Sequence, residues 1–378
     1  MILSEDQILI RDTARRFAQA HLAPFAAERD RSHAFPREAV REMGRLGLMG
    51  MTVPTQWGGA GADFVSYALA MEEIAAGEVA TSTIMAVQNS LGCGALLKFG
   101  TEAQKETLLK PAARGESLVC FCLTEPQAGS DVAALATRAV RDGNGWSIRG
   151  TKQFISNGAN ADIAIVFAVT DPEAGKKGLS AFVVPTSRLG FRVARLEDKL
   201  GQRASDTAQI VFEDLRVTPD DLLGAEGEGM AVALSTLETG RVGIAAQAVG
   251  VARAALEAAT AYARERRTFG KAIGEHQAVA FRLADMATAV EAARQLTLHA
   301  AALIDAGRPC RAEASMAKLF ASEIAEKVCS DAIQIHGGYG YVTDFPVERY
   351  WRDMRVCRIY EGTSDIQRLV ISRELLKG

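Results

Sequence analysis

The sequence predicts a mainly α-helical protein in which a β domain is inserted between two helical domains. Residues 1–116 show helical periodicity, residues 117–225 contain short β-rich runs separated by turn residues, and residues 226–378 form long alanine-rich helical segments. A chain of 378 residues, 48% of them apolar, is large enough for several domains. We therefore expect an N-terminal helical domain, a middle antiparallel β-barrel and a C-terminal four-helix bundle.

Two helix starts are marked in the N-terminal region by capping-box spacing. Ser4 is followed by Gln7, and Thr101 is followed by Gln104. In a capping box the first side chain accepts from the backbone of the third helical residue, whose own side chain returns the bond. Helices are therefore expected to begin just after Ser4 and Thr101.

The middle region is recognised by β-branched and aromatic runs with glycine-rich or proline-rich punctuation. Turn residues cluster at 142–145 and 172–178. The predicted strands lie at residues 118–122, 146–148, 163–167, 181–184 and 209–212.

The C-terminal region predicts four helices, near residues 229–265, 275–306, 310–336 and 364–376. Helices of this length pack most naturally as a bundle. The sequence contains no internal repeat and no low-complexity linker. The two helical domains are therefore expected to contact each other around the inserted β domain.

Composition excludes several classes of function. A net charge of -3, with 43 basic and 46 acidic residues, offers no basic surplus for nucleic acid. Charged residues interrupt the apolar stretches before about 18 residues, so no membrane segment is expected. Residues 1–6 lack a basic signal region, and we expect a cytoplasmic protein.

Cysteine and histidine patterns predict no metal site. The six cysteines are scattered without a C-x-x-C pair and are expected to be reduced core residues. None of the five histidines has metal-ligand spacing, and His336 is expected to be structural.

Nucleotide-binding glycine motifs are also missing. No G-x-G-x-x-G follows a strand, and no P-loop occurs, although residues 58–61 and 337–340 are rich in glycine. A Rossmann fold is therefore disfavoured. The phosphates of any bound cofactor would be held by helix ends and by loops of the β domain.

Near the C-terminus, Glu361 stands in a glycine-containing turn before the last predicted helix. Ser364 and Gln367 have capping-box spacing, so we expect the helix to be capped by Ser364, with Gly362 allowing the turn. Two interpretations remain open from these residues alone. Glu361 is either a catalytic carboxylate or an acidic residue that interacts with the helix dipole.

Seven motifs, in order along nearly the whole chain, resemble the acyl-CoA dehydrogenase family. Matching several motifs in sequence is much more specific than matching any one of them. They are residues 121–131, 152–157, 199–207, 237–241, 266–270 with Gln277, 334–340 and 360–364.

The resemblance implies an FAD site and an acyl-CoA site. Glu361 is implied as the catalytic base. The implied FAD contacts are Phe121, Leu123, Thr124, Ser130, Phe154, Ile155, Ser156, Arg266, Phe269, Gln277, Gln334, Gly337, Gly338, Thr363, Ser364 and Asp365. The implied substrate contacts are Ser130, Glu238, Arg241 and Gly362.

Structural interpretations remain open beside these roles. Residues 124–131 also suit a plain strand-to-loop transition, and Gly337 with Gly338 suits a helix C-cap. Arg266 also suits a solvated helix charge, and Arg241 an ion pair within the bundle.

Four positions affect which of the family's residue roles can be assigned to this chain. Gln127 replaces a frequent glycine, Glu238 a frequent aspartate, and Gln202 a common apolar residue. Some family members place the base at the position of Gly240, where glycine cannot serve. This favours Glu361 as the base.

The implied reaction converts an acyl-CoA thioester into its trans-2-enoyl-CoA. Glu361 would remove the α-proton, FAD would accept the β-hydride, and electron-transfer flavoprotein would reoxidise the flavin. Segments 266–270 and 334–340 would reach the FAD of another subunit, so a homotetramer is expected. The alternatives are an acyl-CoA oxidase-like enzyme, an eliminating relative, or a non-catalytic scaffold that binds CoA esters.

Overall fold

The computed structural model describes residues 1–377, and its N-terminal region is helical. Both capping boxes predicted there are confirmed, at Ser4 with Gln7 and at Thr101 with Gln104. The helices are α1 (Glu5–Phe17), α2 (Ala26–Ser32), α3 (Arg37–Arg45), α4 (Phe64–Gly77), α5 (Val79–Ala86), α6 (Gly94–Phe99), α7 (Glu102–Gln104) and α8 (Lys110–Ala113).

A short stretch of π-helix, Val87–Cys93, continues α5. Such widened turns occur often at functional sites, because they redirect side chains within one helix. All seven residues of this stretch are buried. It lies against the first strand of the middle region and forms part of the cavity wall described below.

The middle region is one curled sheet of seven strands. They are β1 (Val119–Cys122), β2 (Arg138–Asp142), β3 (Gly145–Ser156), β4 (Ile163–Val169), β5 (Leu179–Pro185), β6 (Phe191–Leu196) and β7 (Thr207–Val217). The sheet order is β1-β4-β2-β3-β7-β6, with β5 paired to β4. Five of these strands contain the predicted β runs, whereas β2 and β6 were not predicted.

The sheet was predicted to be antiparallel, but it also contains parallel strand pairs. β1 runs parallel to β4, with Val119 opposite Ile163, and β2 also meets β4 in parallel. Parallel neighbours need a long connection rather than a tight turn. Here β2 and β3 provide it, because they form an antiparallel pair between β1 and β4 in the chain.

The C-terminal region contains the four predicted helices and a fifth, short helix that was not predicted. It contains α9 (Gly229–Glu265), the short pair β8 (Arg267–Thr268) and β9 (Lys271–Ala272), α10 (Gln277–Asp305), α11 (Arg311–His336), α12 (Val347–Met354) and α13 (Ser364–Leu375). α11 packs against α9, α10 and α13, while α9 also packs against α4. The expected contact between the two helical regions is therefore present.

Among the helices within residues 1–377, α9 is the one whose length and apolar composition would allow it to cross a membrane. Its most apolar window is 78% buried inside the protein. Its buried residues include the stretch from Gly240 to Ala252. In this structure α9 therefore serves as the central helix of the bundle.

Ion pairs between buried glutamates and half-buried arginines connect α4 to α9 and α10. Arg253 Nε lies 2.8 Å from Glu72 Oε1 and Arg253 NH2 lies 2.7 Å from Glu73 Oε2. Arg294 NH2 also lies 2.6 Å from Glu72 Oε1. Because a buried charge is costly without its partner, these pairs favour one alignment of α4 on the bundle.

All six cysteines are buried and free, as expected for reduced core residues. Over residues 1–377, no cluster of histidine, cysteine, aspartate and glutamate side chains could hold a metal ion.

Candidate active site

Glu361 lies in a left-handed turn between α12 and α13. Its φ is 52°, and that of the following Gly362 is 91°. Glycine adopts positive φ without strain, but glutamate does so at a cost of about 1 kcal/mol or more. The surrounding structure must therefore hold Glu361 in this conformation.

The start of α13 differs from the prediction. The N-cap is Thr363, whose Oγ1 accepts from the backbone N–H of Ile366 at 3.3 Å. The predicted capping box of Ser364 and Gln367 is therefore wrong by one residue. The Gln367 side chain instead turns back and donates to the carbonyls of Glu361 at 3.1 Å and of Gly362 at 2.9 Å.

The carboxylate of Glu361 points into the protein. Oε2 is buried and has no hydrogen-bond partner among the described residues. Burial raises the pKa of Glu361 to about 7, while the positive charges of Lys318 and Arg241 partly oppose that rise. This carboxyl group can therefore gain or lose a proton near neutral pH.

Gly240 of α9 makes room for this carboxylate. A Cβ atom added at Gly240 would lie 1.9 Å from Glu361 Oε2 and 2.7 Å from its carboxyl carbon. Non-bonded contacts of a Cβ atom are essentially never this short in real structures. The base at position 361 therefore requires glycine at position 240, which is a physical reason why only one of these two positions bears the acidic side chain.

A partly open cavity of about 130 Å³ lies beside Glu361. Its walls come from the N-terminal helices, the middle sheet and the bundle, so all three regions contribute. The lining residues are Thr83, Ala86, Val87, Leu91, Phe121, Leu123, Thr124, Phe154, Ile155, Ser156, Leu237, Ile244, Tyr360 and Glu361.

Six of the predicted FAD contacts meet in this cavity, namely Phe121, Leu123, Thr124, Phe154, Ile155 and Ser156. Phe154 has a φ of 59° and is 62% exposed. A large exposed aromatic side chain in a strained backbone conformation suits a surface that is covered by a ligand. Ser130, predicted for both cofactor and substrate, is exposed and does not line the cavity.

A buried ion pair supports the predicted cofactor loop. Lys152 Nζ lies 2.8 Å from Glu125 Oε1 and donates to the carbonyl of Leu123 at 3.0 Å. Glu125 also accepts from the backbone N–H groups of Ala136 and Thr137. These bonds hold the chain on both sides of Thr124, so this loop is more firmly anchored than a plain strand-to-loop transition.

A polar network backs the cavity where Thr83 and Tyr360 line it. Gln247 Nε2 donates to Thr83 Oγ1 at 2.7 Å, and its Oε1 accepts from the Tyr360 hydroxyl. Gln202 Nε2 donates to the same hydroxyl at 3.3 Å and to the carbonyl of Asp353 at 2.9 Å. Gln202 is thus a buried member of this network. The sequence carried no local signal for Gln247.

A second group of predicted FAD residues lies around an open pocket of about 690 Å³. Arg266, Gly337 and Gly338 line it, together with Tyr262 and Tyr339 among others. A Cβ atom on either glycine would meet nothing within 4 Å, so internal packing does not require these glycines. Gly337 nevertheless ends α11, as the C-cap interpretation predicted.

The remaining predicted cofactor residues are not brought into either pocket. Phe269 is 96% exposed, and Gln277 and Gln334 are also exposed. Asp365 is exposed, and Ser364 is buried with its hydroxyl unpartnered among residues 1–377.

Two of the predicted substrate residues, Gly362 and Arg241, lie near the base. Gly362 follows it directly, and Arg241 is 7% exposed and donates to Ser315 Oγ at 3.3 Å. Burial lowers the pKa of Arg241, whereas the charge of Glu361 favours its protonated form. Glu238 Oε2 lies 3.8 Å from Arg311 NH2, a loose ion pair.

His336 has a structural environment, as expected. Its ring stacks on Tyr262 with centroids 4.3 Å apart, and Nδ1 lies 2.8 Å from the carbonyl of Ala332. The ring also packs against Phe345.

Together, the fold and the site define a flavin-dependent oxidoreductase in which a buried carboxylate faces a small apolar cavity. Family models for the acyl-CoA dehydrogenase N-terminal, middle and C-terminal domains match residues 4–116, 120–215 and 227–376. The chain belongs to the acyl-CoA dehydrogenase family, whose members use FAD.

Individual relatives agree with this assignment. The short-chain specific acyl-CoA dehydrogenase of Bos taurus mitochondria is 50% identical, over 100% of this chain and 91% of that protein. Butyryl-CoA dehydrogenase from Megasphaera elsdenii has a TM-score of 0.98 and 40% identity, covering 100% of both chains. A chain in a structure described as electron transferring flavoprotein of Acidaminococcus fermentans has a TM-score of 0.98 and 46% identity, with full coverage of both chains.

The close contact between Gly240 and the Glu361 carboxylate leads to a prediction about the rate of flavin reduction. Gly240→Ala places a methyl group where the Glu361 carboxylate now lies, so the carboxylate must move. We expect substrate-driven flavin bleaching to slow by about 100-fold, because displacing a reacting group by about 1 Å has effects of this size. FAD content should stay near the wild-type value. The measurement is stopped-flow absorbance under anaerobic conditions.

Gly94→Ala is the matched control, since its new Cβ would make only an ordinary 3.4 Å contact with the carbonyl of Asn89. Equal rates in Gly240→Ala and wild type would contradict the placement of the base.

Proposed function

We propose that this protein oxidises short-chain saturated acyl-CoA esters to trans-2-enoyl-CoA, with Glu361 as the base that removes the α-proton. The observation that carries the proposal is the buried Oε2 of Glu361, which has no hydrogen-bond partner among residues 1–377 and lies in the wall of a small cavity. An acyl-CoA oxidase-like enzyme would need the same base, and the similarity to acyl-CoA dehydrogenases favours dehydrogenation over that alternative.

The chemistry of the site suits this reaction. The α-proton of a thioester is weakly acidic, so its removal needs a base that is desolvated yet ionised at the working pH. Glu361, with its pKa raised to about 7 by burial, meets both needs. Its backbone N–H, presented by the same turn, would donate to the thioester carbonyl and stabilise the enolate as it forms.

FAD fits the residues around the cavity. Thr124 and Ser156 bring hydroxyl groups to the cavity wall, and Phe154 offers an exposed aromatic surface. When bound there, FAD supplies the acceptor for the β-hydride. The protein aligns the acyl chain between this surface and Glu361 and excludes water from it.

The cavity favours a short acyl chain. The side lined by Thr83 and Tyr360 is backed by hydrogen-bonded groups of Gln247 and Gln202. A longer chain would have to displace these buried bonds, which costs about 1–3 kcal/mol for each group left unpaired.

We propose a homotetramer as the working form. Arg266 and Gly337 line a pocket that opens on the surface, apart from the cavity at Glu361, and a basic side chain beside bare glycine backbone suits a phosphate of another subunit's FAD. We further propose electron-transfer flavoprotein as the electron acceptor, supported by the Acidaminococcus match, and a cytoplasmic location.

Anaerobic titration with butyryl-CoA tests the function, with Glu361→Gln as the decisive variant. We expect the wild-type flavin to bleach and the variant to bleach at least about 100-fold more slowly, because glutamine cannot accept the α-proton. FAD content should be unchanged. The exposed Glu38→Gln is the matched control and should behave as wild type.

An active Glu361→Gln variant would refute the base assignment. A wild-type flavin that is never bleached by any acyl-CoA would refute the function. Stoichiometric hydrogen peroxide during aerobic turnover would refute electron-transfer flavoprotein as the acceptor.

The polar network behind Thr83 and Tyr360 leads to a separate prediction about the length of the acyl chain. Gln247→Ala removes the side chain that joins Thr83 to Tyr360 and should deepen the cavity. We expect the ratio of kcat/KM for octanoyl-CoA to that for butyryl-CoA to rise at least about tenfold. The exposed Gln19→Ala should leave the ratio unchanged. An unchanged ratio in Gln247→Ala would show that this network does not limit chain length.

The assembly proposal predicts that light scattering finds four chains and that Arg266→Ala retains less FAD than wild type. The cause would be loss of a charge-assisted hydrogen bond from a neighbouring subunit. Arg264→Ala, also exposed, is the matched control. A stable monomer with full FAD content would contradict the proposal.

A further inference from the structure

Lys318 is a buried cation that the chemistry above does not use. It lies in α11 and is 0% exposed, one of the largest fully buried side chains described. Taking an ammonium group out of water costs several kcal/mol unless hydrogen bonds and an opposite charge compensate. The burial of its ammonium group therefore needs a structural explanation.

The ammonium group contacts the turn that carries the base. Lys318 Nζ donates to the carbonyl of Gly362 at 2.7 Å. Gln367 Nε2 donates to the same carbonyl at 2.9 Å and to that of Glu361 at 3.1 Å. Two side chains, from α11 and from α13, thus hold the left-handed turn at Glu361 and Gly362.

The charge of Lys318 also acts on the Glu361 carboxylate. Burial lowers the pKa of Lys318 to about 8, and the charge of Glu361 opposes the fall. The groups that face Glu361 are Tyr67 from α4, Arg241 from α9 and Lys318 from α11. Arg241 supplies positive charge as well, but its described hydrogen bond goes to Ser315 and not to the turn.

We propose that Lys318 is a positioning residue for the base: it holds the turn through the Gly362 carbonyl, and its charge keeps Glu361 ionised beside the cavity. This inference rests on the proposed function of Glu361. Lys318 needs no contact with substrate or flavin for this role. It acts on the backbone next to the base and on the field at the carboxylate.

The test separates charge from turn geometry with three variants. Lys318→Met removes the charge and the hydrogen bond, Lys318→Gln removes the charge but keeps an amide donor, and Gln367→Leu removes the second donor without changing any charge. Lys327→Met is the matched control, because Lys327 lies on the same helix with its side chain 73% exposed. The readout is kcat/KM for butyryl-CoA from pH 5 to 9, with FAD content and melting temperature measured alongside.

The sign of the pH effect follows from the charge. The active form of Glu361 is ionised, and a nearby cation stabilises that form, so its removal raises the pKa of Glu361. We expect the midpoint of the acid limb, near pH 7 in wild type, to move up by about one unit in Lys318→Met and Lys318→Gln. In Lys318→Gln the difference from wild type should shrink towards pH 9, where Lys318 itself has lost its proton. In Lys318→Met a lower kcat should remain at pH 9, because the hydrogen bond to the Gly362 carbonyl is lost as well.

Gln367→Leu should lower kcat without moving the midpoint, because it loosens the turn only. Lys327→Met should match wild type in every respect. An unchanged midpoint in both Lys318 variants, with FAD retained, would overturn the inference. Loss of folding in both would make Lys318 a folding residue and would overturn it as well.

Failure of the inference is distinguishable from failure of the proposed function. If the wild-type flavin does not bleach with butyryl-CoA, the function fails before Lys318 is tested. If wild type bleaches, Glu361→Gln does not, and the Lys318 variants keep the wild-type midpoint, only the inference about Lys318 fails.

Discussion

The fit of one carboxylate against bare helix backbone is the constraint on which the site depends. Glu361 Oε2 occupies the space that a side chain at Gly240 would fill. To reach it, the chain must leave α12 and turn through two successive left-handed residues. The side chain of Gln367 and the ammonium group of Lys318 donate hydrogen bonds to the carbonyls of that turn.

Burial sets opposing demands on this carboxylate. Desolvation strengthens the base by raising its pKa, but a pKa raised too far would leave Glu361 protonated and inactive at neutral pH. Lys318 and Arg241 limit the rise, so the pKa lies at about 7. Both cations are buried themselves, and each has its own pKa lowered by burial. The site thus balances one anion against two cations that are poorly solvated.

Local sequence signals predicted those parts of the fold that local interactions determine. The capping boxes at Ser4 and Thr101 depend on residues three positions apart, and the long helices of the bundle on alanine-rich periodicity. The strands β2 and β6 escaped prediction because they carry charged side chains and are mostly exposed. The pairing of β1 with β4 is a long-range choice that no local pattern encodes.

The same distinction holds within the site. Glu361 and the loop around Thr124 stood out through their motifs, whereas the cap of α13 was placed one residue late, because Thr363 and Ser364 are chemically alike and tertiary contacts engage Gln367 elsewhere. Gln247 and Lys318 sit inside long helices and gave no local signal. Their roles arise only when distant segments are packed together.

Because three regions of the chain share the wall of one cavity, they form a single functional unit. The N-terminal helices, the sheet and the bundle each supply part of its wall, and none encloses it alone. Glu72 and Glu73 of α4 pair with Arg253 of α9 in the buried interface between the two helical regions. Because an unpaired charge there would be costly, sliding α4 along α9 is opposed. The same packing places Thr83 of α5 opposite Gln247 of α9, and the hydrogen bond between them lies at the wall of the cavity.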